Sequence, residues 1–190
     1  SVATSKMKNT EVLISAVGDC TIGTDSKLGY TNSLPTMALQ PNNDFSYYFK
    51  NVHNVFSKDD VTIANLETTF TDSNDRANKQ FNFKASSDYA KSLTLGSIEG
   101  VNLSNNHIYD YKEKGFIDTK LALEKEKINY FGEGTPWITE IKGQHFGFLG
   151  YRGWSLDKKF LDKLKSDIAT LKKTNSVVII NFHWGNEKQY

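Results

Sequence analysis

Four stretches of this 190-residue chain are almost continuously apolar or small, and each ends abruptly in polar side chains. They are Glu11–Val17, Val61–Leu66, the short run containing Val101 and Leu103, and Ser176–Phe182. Unbroken apolar character over four to eight residues is the pattern of a strand buried on both faces. The polar closures are Gly18-Asp19-Cys20, Glu67, Asn105-Asn106-His107 and His183-Trp184.

Between these strands the periodicity changes. Asp44–Lys58 puts Phe45, Tyr48, Phe49, Val52, Val55 and Phe56 at helical spacing, which predicts an amphipathic helix with an aromatic face and a structural His53. Ser86 or Ser87 is placed to cap a helix carrying Tyr89 and Leu93, and Gly96 suits its end. Phe116, Ile117, Leu121 and Leu123 mark a further helix. Asp157–Lys173 sets Phe160, Leu161, Leu164, Ile168 and Leu171 on one stripe of a lysine-rich surface helix. Phe81 and Phe83 alternate with polar residues as in an exposed or edge strand, and Ile128–Phe131 is a short strand. Trp137–Ile141 and His145–Tyr151 flank Lys142-Gly143-Gln144, a β-hairpin pattern. Residues 27–43 and 71–79 are loops. Alternation of this kind predicts an α/β protein with helices layered on sheet.

Composition narrows the function. A net charge of +1 argues against general nucleic-acid binding, which calls for a strongly basic surface. The single cysteine, Cys20, excludes an internal disulfide framework and a cysteine-based zinc site. No apolar run approaches membrane-spanning length. The polar opening, residues 1–10, reads as a tether, and 11–190 as one domain. Tyr190 follows shortly after an apolar strand with no closing helix, so the expectation is a domain incomplete at its C-terminus.

Chemistry gathers at the strand ends. Asp19, Glu67, Asn106 with His107, and His183 with Glu187 each follow a buried strand, and open α/β sheets bind ligands outside the carboxyl ends of their strands. Carboxylate, amide oxygen and imidazole together suit zinc, manganese or iron. A bound cation would activate a water, and a free histidine would protonate the leaving group. Each residue also has an ordinary explanation. Asp19 caps a turn, Glu67 pairs with a lysine, His107 is a solvated turn residue, His183 is a satisfied core histidine, and Glu187 is solvated. Cys20 reads as a small buried side chain.

Taken together, Gly18-Asp19…Gly23, Ala64-Asn65-Leu66-Glu67, Asn105-Asn106-His107…Asp110 and His183-Trp184-Gly185-x-Glu187 resemble the bacterial capsule synthesis family. This is the poly-γ-glutamate capsule (CapA) family, related to calcineurin-like metallophosphoesterases. Phe81-x-Phe83, Gly115-Phe116-x-x-Thr119, Gly132-x-Gly134 and Gly147–Tyr151 fit as well, so the resemblance runs from Glu11 onward. Three features depart from the pattern. Thr21 stands where the superfamily has a histidine, Lys112 where the family often has glycine, and a Gly-His-His-Pro-His type block would fall after Tyr190.

The resemblance implies a four-layer α/β/β/α sandwich of the metallophosphoesterase type. It implies Asp19, Glu67, Asn106 and His183 as metal ligands for Mn, Zn or Fe, His107 as the acid, and Glu187 as a further site carboxylate. Asn105 and Asp110 are taken as substrate contacts. The implied role is a cell-surface, membrane-tethered protein of capsule biosynthesis, acting on a phosphoester or anionic polymer beside the capsule synthesis and export machinery. The alternative is a non-catalytic polymer binder, with Lys158, Lys159, Lys163, Lys165, Lys172 and Lys173 as its basic face. An exposed sheet edge would permit self-association.

Overall fold

A computed structural model describes residues 10–38, 44–153, 157–174 and 176–185. Strand β1 (Ile14–Cys20) is followed by the two-residue β2 (Thr24–Asp25) and a short helix α1 (Leu34–Ala38). Then come α2 (His53–Phe56), β3 (Val61–Leu66), β4 (Thr69–Phe70), β5 (Phe83–Ala85), α3 (Lys91–Leu95) and β6 (Gly100–Asn102). Helix α4 (Lys112–Lys125), β7 (Asn129–Phe131), the hairpin β8 (Trp137–Ile141) and β9 (Gln144–Arg152), α5 (Lys158–Lys172) and β10 (Val177–His183) complete the order. The protein is a mixed α/β structure with parallel strands and helices on the sheets.

The four-stranded sheet β1-β3-β6-β7 is wholly parallel. Its two faces bury different sets of residues. Ala64, Leu66, Val101 and Leu103 join a core with Phe56, Phe70, Tyr89, Leu93, Ala122 and Leu123, beneath α3 and α4. Val61, Ile63 and Phe131 meet Phe146 and Phe148 of a second sheet, β10-β9-β8. In that sheet β9 and β10 are parallel, and β8 and β9 form the antiparallel hairpin expected around Lys142-Gly143, both at positive φ. Helix α5, begun by the Asp157 side chain accepting from Phe160 N at 2.8 Å, covers the outer face through Leu171, which lies against Gly147. A small third sheet, β2-β5-β4, lies beside the first.

Two glycine positions set the site's geometry. In β1 the register slips by one residue between Ala16 and Asp19, a bulge at Val17-Gly18. Counting in twos from Ile14 would send Asp19 to the helix side. The extra residue rephases the strand, so Asp19 pairs with Asn65 on the face turned towards the second sheet. At Gly150 the sheets approach so closely that a Cβ would lie 1.9 Å from Asn102 Oδ1.

The structure departs from the sequence expectations in four elements, the first being α1, a helical turn within the loop expected over 27–43. Asp44–Lys58 is not one helix. The Asp44 carboxylate caps a 3-10 turn over Phe45–Tyr48, the chain reopens, and α2 covers only four residues with no capping side chain. Asn51, Val52, His53, Asn54 and Val55 are all modest helix formers, and Val52 and Val55 are exposed. On α4 the buried face is Gly115, Thr119, Ala122 and Leu123, whereas Ile117 and Leu121 face solvent. Thr119 earns its place through a hydrogen bond: its hydroxyl accepts from the buried Phe70 N at 2.9 Å. Finally, Phe83–Ala85 is the middle strand of its sheet rather than an edge. Residues 1–9 of the tether expected over 1–10, and Glu187, lie outside the described residues.

Candidate metal centre

The carboxyl ends of β1, β3, β6 and β10 meet on one crest. Asp19, Glu67 and His183 each bring one ligand atom into a group whose members lie within 4.8 Å of one another. Asp19 Oδ1 is 3.5 Å from His183 Nδ1, and Glu67 Oε1 is 3.7 Å from Nε2. Asn106 Oδ1 is 2.7 Å from His183 Nε2, so the amide oxygen joins the same group. Glu67 and His183 are mostly buried, while Asp19 is half exposed and gives the site its opening.

Behind these groups lies a floor of amides. Asn65, buried at the end of β3, donates through Nδ2 to Asp19 Oδ1 at 2.6 Å and lies 3.1 Å from His183 Nδ1. Its Oδ1 accepts from Asn102 Nδ2 at 2.9 Å and from Asn105 Nδ2 at 3.1 Å. Asn105 also donates to Leu66 O and accepts from His107 N. It is fully buried and braces the turn from beneath.

His107 stands at the edge of this group, with Nε2 3.8 Å from Glu67 Oε1. Its other nitrogen, Nδ1, is 2.7 Å from Asp110 Oδ2. An ionised carboxylate only accepts, so this contact places a proton on Nδ1 and turns Nε2 towards Glu67. Asp110 is fully buried and further held by Lys79 Nζ at 2.6 Å and Phe83 N at 2.6 Å. The Phe83 ring stacks on the imidazole, centroids 4.4 Å apart. Asn105 and Asp110 thus both sit behind His107, each occupied by protein groups.

The electrostatics favour a neutral imidazole at His183. Burial pushes its pKa below the ordinary histidine value, although the Asp19 carboxylate pulls the other way. A neutral ring is the form that ligates metal. Cys20 is the reverse case. Burial, assisted by Asp19, raises its thiol to about 11, so it remains protonated and joins no ligand group among the described residues. Two carboxylates, one neutral imidazole and an amide oxygen form a hard-to-borderline donor set that fits manganese, zinc or iron.

Sequence reasoning gave no site role to Asn65, Asn102, Lys79 and Phe83. The first two carried a signal, since an amide within an apolar strand must find partners. Lys79 and Phe83 carried none, because they reach His107 only through tertiary folding of the 71–83 segment.

Comparison with known proteins adds an independent line. A family model described as "Bacterial capsule synthesis protein PGA_cap" matches residues 13–190. The chain is 25% identical over 168 residues to "Capsule biosynthesis protein CapA" of Bacillus anthracis, covering 74% of this chain and 41% of that protein. It is 24% identical over 161 residues to "PGA biosynthesis protein CapA" of Bacillus subtilis (strain 168), covering 73% of this chain and 42% of that protein. The chain therefore spans about two fifths of the length of these relatives.

Proposed function

The chain belongs to the bacterial capsule synthesis protein family, and from that premise we propose that it carries a metal-dependent, phosphoesterase-like hydrolase site serving capsule biosynthesis. The observation that carries this reading is the convergence of Asp19, Glu67 and His183 within 4.8 Å beside an oriented histidine. Asp19, Glu67, His183 and Asn106 would hold a divalent cation, whose chemistry is to polarise the bond under attack and to lower the pKa of a water.

The chain's own residues account for the rest. Asp110 holds the His107 ring through Nδ1–H, so that the doubly protonated ring would present its Nε2 proton to a leaving group. Asn65 holds Asp19 and His183 in place, so the ligand atoms need little rearrangement. The sandwich of the metallophosphoesterase type belongs to the same proposal, and two sheets sharing an apolar interface support it. Placement at the cell surface, and work alongside the capsule machinery on an anionic polymer or phosphoester, are further parts of the proposal. Among the described residues no helix is long and apolar enough to cross a membrane.

The rival reading, a non-catalytic polymer binder using α5, draws less support. Lys158 and Lys163 are paired with Asp162 and Asp167 one turn away, which offsets part of the cationic face.

Metal analysis after incubation with manganese or zinc tests the hydrolase reading. One ion per chain is expected in the wild type, with loss in Glu67→Ala and His183→Ala, together with metal-dependent turnover of p-nitrophenyl phosphate esters. No uptake and no turnover would overturn it.

A further inference from the structure

The crest continues past His183. Along β9, Phe146 and Phe148 belong to the apolar interface between the sheets, and Gly150 meets Asn102 of the facing sheet. Alternation then places Arg152 on that same inner face. Register pairs Arg152 directly with His183 across β9 and β10, so the two side chains leave the sheet side by side. The Arg152 guanidinium lies 5.9 Å from the centre of the Tyr109 ring, two residues beyond His107.

One guanidinium nitrogen donates to Glu133 Oε2 at 3.1 Å, the partner of Arg152 among the described residues. Glu133 is itself pinned: its backbone N donates to Ser104 Oγ at 2.6 Å, and that hydroxyl is 3.2 Å from its Oε1. The carboxylate is sunk at 15% exposure while the arginine side chain is open at 38%. Arginine offers five N–H donors in a fork matched to oxyanions and keeps its charge at every working pH. Glu133 occupies one, and among the described residues no other carboxylate takes the rest of the fork beside the metal-type pocket. As a stabilising element, so exposed a pair contributes about 0–1 kcal/mol.

We propose that Arg152 receives an oxyanion of the substrate, a carboxylate or phosphate next to the bond held at Asp19, Glu67 and His183. Speaking of a substrate rests on the hydrolase reading; the anion site itself does not. Glu133 sets the strength of this site, because its carboxylate competes with the incoming anion for the same fork.

The test is calorimetric titration of the chain with inorganic phosphate and, separately, with tetraglutamate, each with and without manganese. Arg152→Gln should weaken the bound anion at least tenfold, and Arg152→Lys should keep part of the affinity. Glu133→Gln should tighten binding several-fold, an effect of opposite sign that a merely structural pair would not produce. Preference for phosphate identifies a phosphoester, and preference for tetraglutamate a carboxylate polymer. Wild-type chain that binds neither anion, Arg152→Gln that binds as wild type, or weakening in Glu133→Gln would overturn the proposal. Absence of manganese uptake by the wild type would defeat the hydrolase reading alone, since the metal-free titrations still judge Arg152.

Discussion

At the scale of single residues, buried carboxylates show what each neighbour is for. Asp110 has no exposure, and its oxygens are filled by Lys79, His107 and Phe83 N. Asp110→Asn would put an amide where an acceptor-only group selects the His107 tautomer. Turnover of a phosphate ester is expected to fall about 100-fold or more, with metal stoichiometry unchanged. Asp25 is the structural counterpart. Arg76 bonds both of its oxygens, at 2.6 and 3.0 Å, while Lys27 N and Asn82 N donate to it at 2.9 Å each. The Arg76 contact foremost, then these N–H groups, hold its pKa well below the carboxylate range against the effect of burial. A carboxylate depressed in the folded state stabilises above its unfolded value of about 4 and loses that contribution as pH falls. Arg76→Met should therefore cost about 3 kcal/mol at pH 7. In urea unfolding the gap from wild type should narrow at pH 3. Neither the Asp25–Arg76 pair nor the Lys79–Asp110 pair was legible in the sequence, because their members are 51 and 31 residues apart.

At the scale of elements, unbroken apolar runs were the readable signal, and short helices were the unreadable ones. Val61–Leu66 matched its predicted strand to the residue, and the hairpin turn fell at Lys142-Gly143. The aromatic stripe of Asp44–Lys58 misled because spacing alone ignores propensity and capping, and these residues divide between a 3-10 turn and a single α turn. Asp19 was found as a candidate ligand, yet the bulge that aims it was invisible, since nothing in Val17-Gly18 announces an unpaired residue. Glycines separate the two kinds of constraint. Gly150→Ala forces a Cβ into Asn102 and should cost about 2–3 kcal/mol. Gly18→Ala meets nothing within 4 Å and should stay within about 0.5 kcal/mol in denaturant titration.

At the scale of the whole molecule, stability and the site depend on the same interface. Phe148 has no exposure and stacks with Trp137, centroids 4.5 Å apart, where the two sheets meet. Phe148→Ala should cost about 3–5 kcal/mol. It should also weaken metal uptake, because His183 reaches the crest from the second sheet and the other ligands come from the first. The strands and their polar ends could be read one by one. Which sheets face each other could not, because pairing of β9 with β10 and the contact of Phe148 with Phe131 are long-range choices.

The amide floor has a kinetic consequence. Asn102 donates to Asn65, and Asn65 donates to Asp19, so the dipoles run in one direction and end on a negative charge. Amides do not titrate, and this chain of donors already ends on the Asp19 carboxylate at any working pH. An arriving cation would find its ligands already aligned, so exchange should be paced by the ion shedding its water. Manganese and zinc, which release water at different speeds, should then enter at different rates, with no slow protein step common to both.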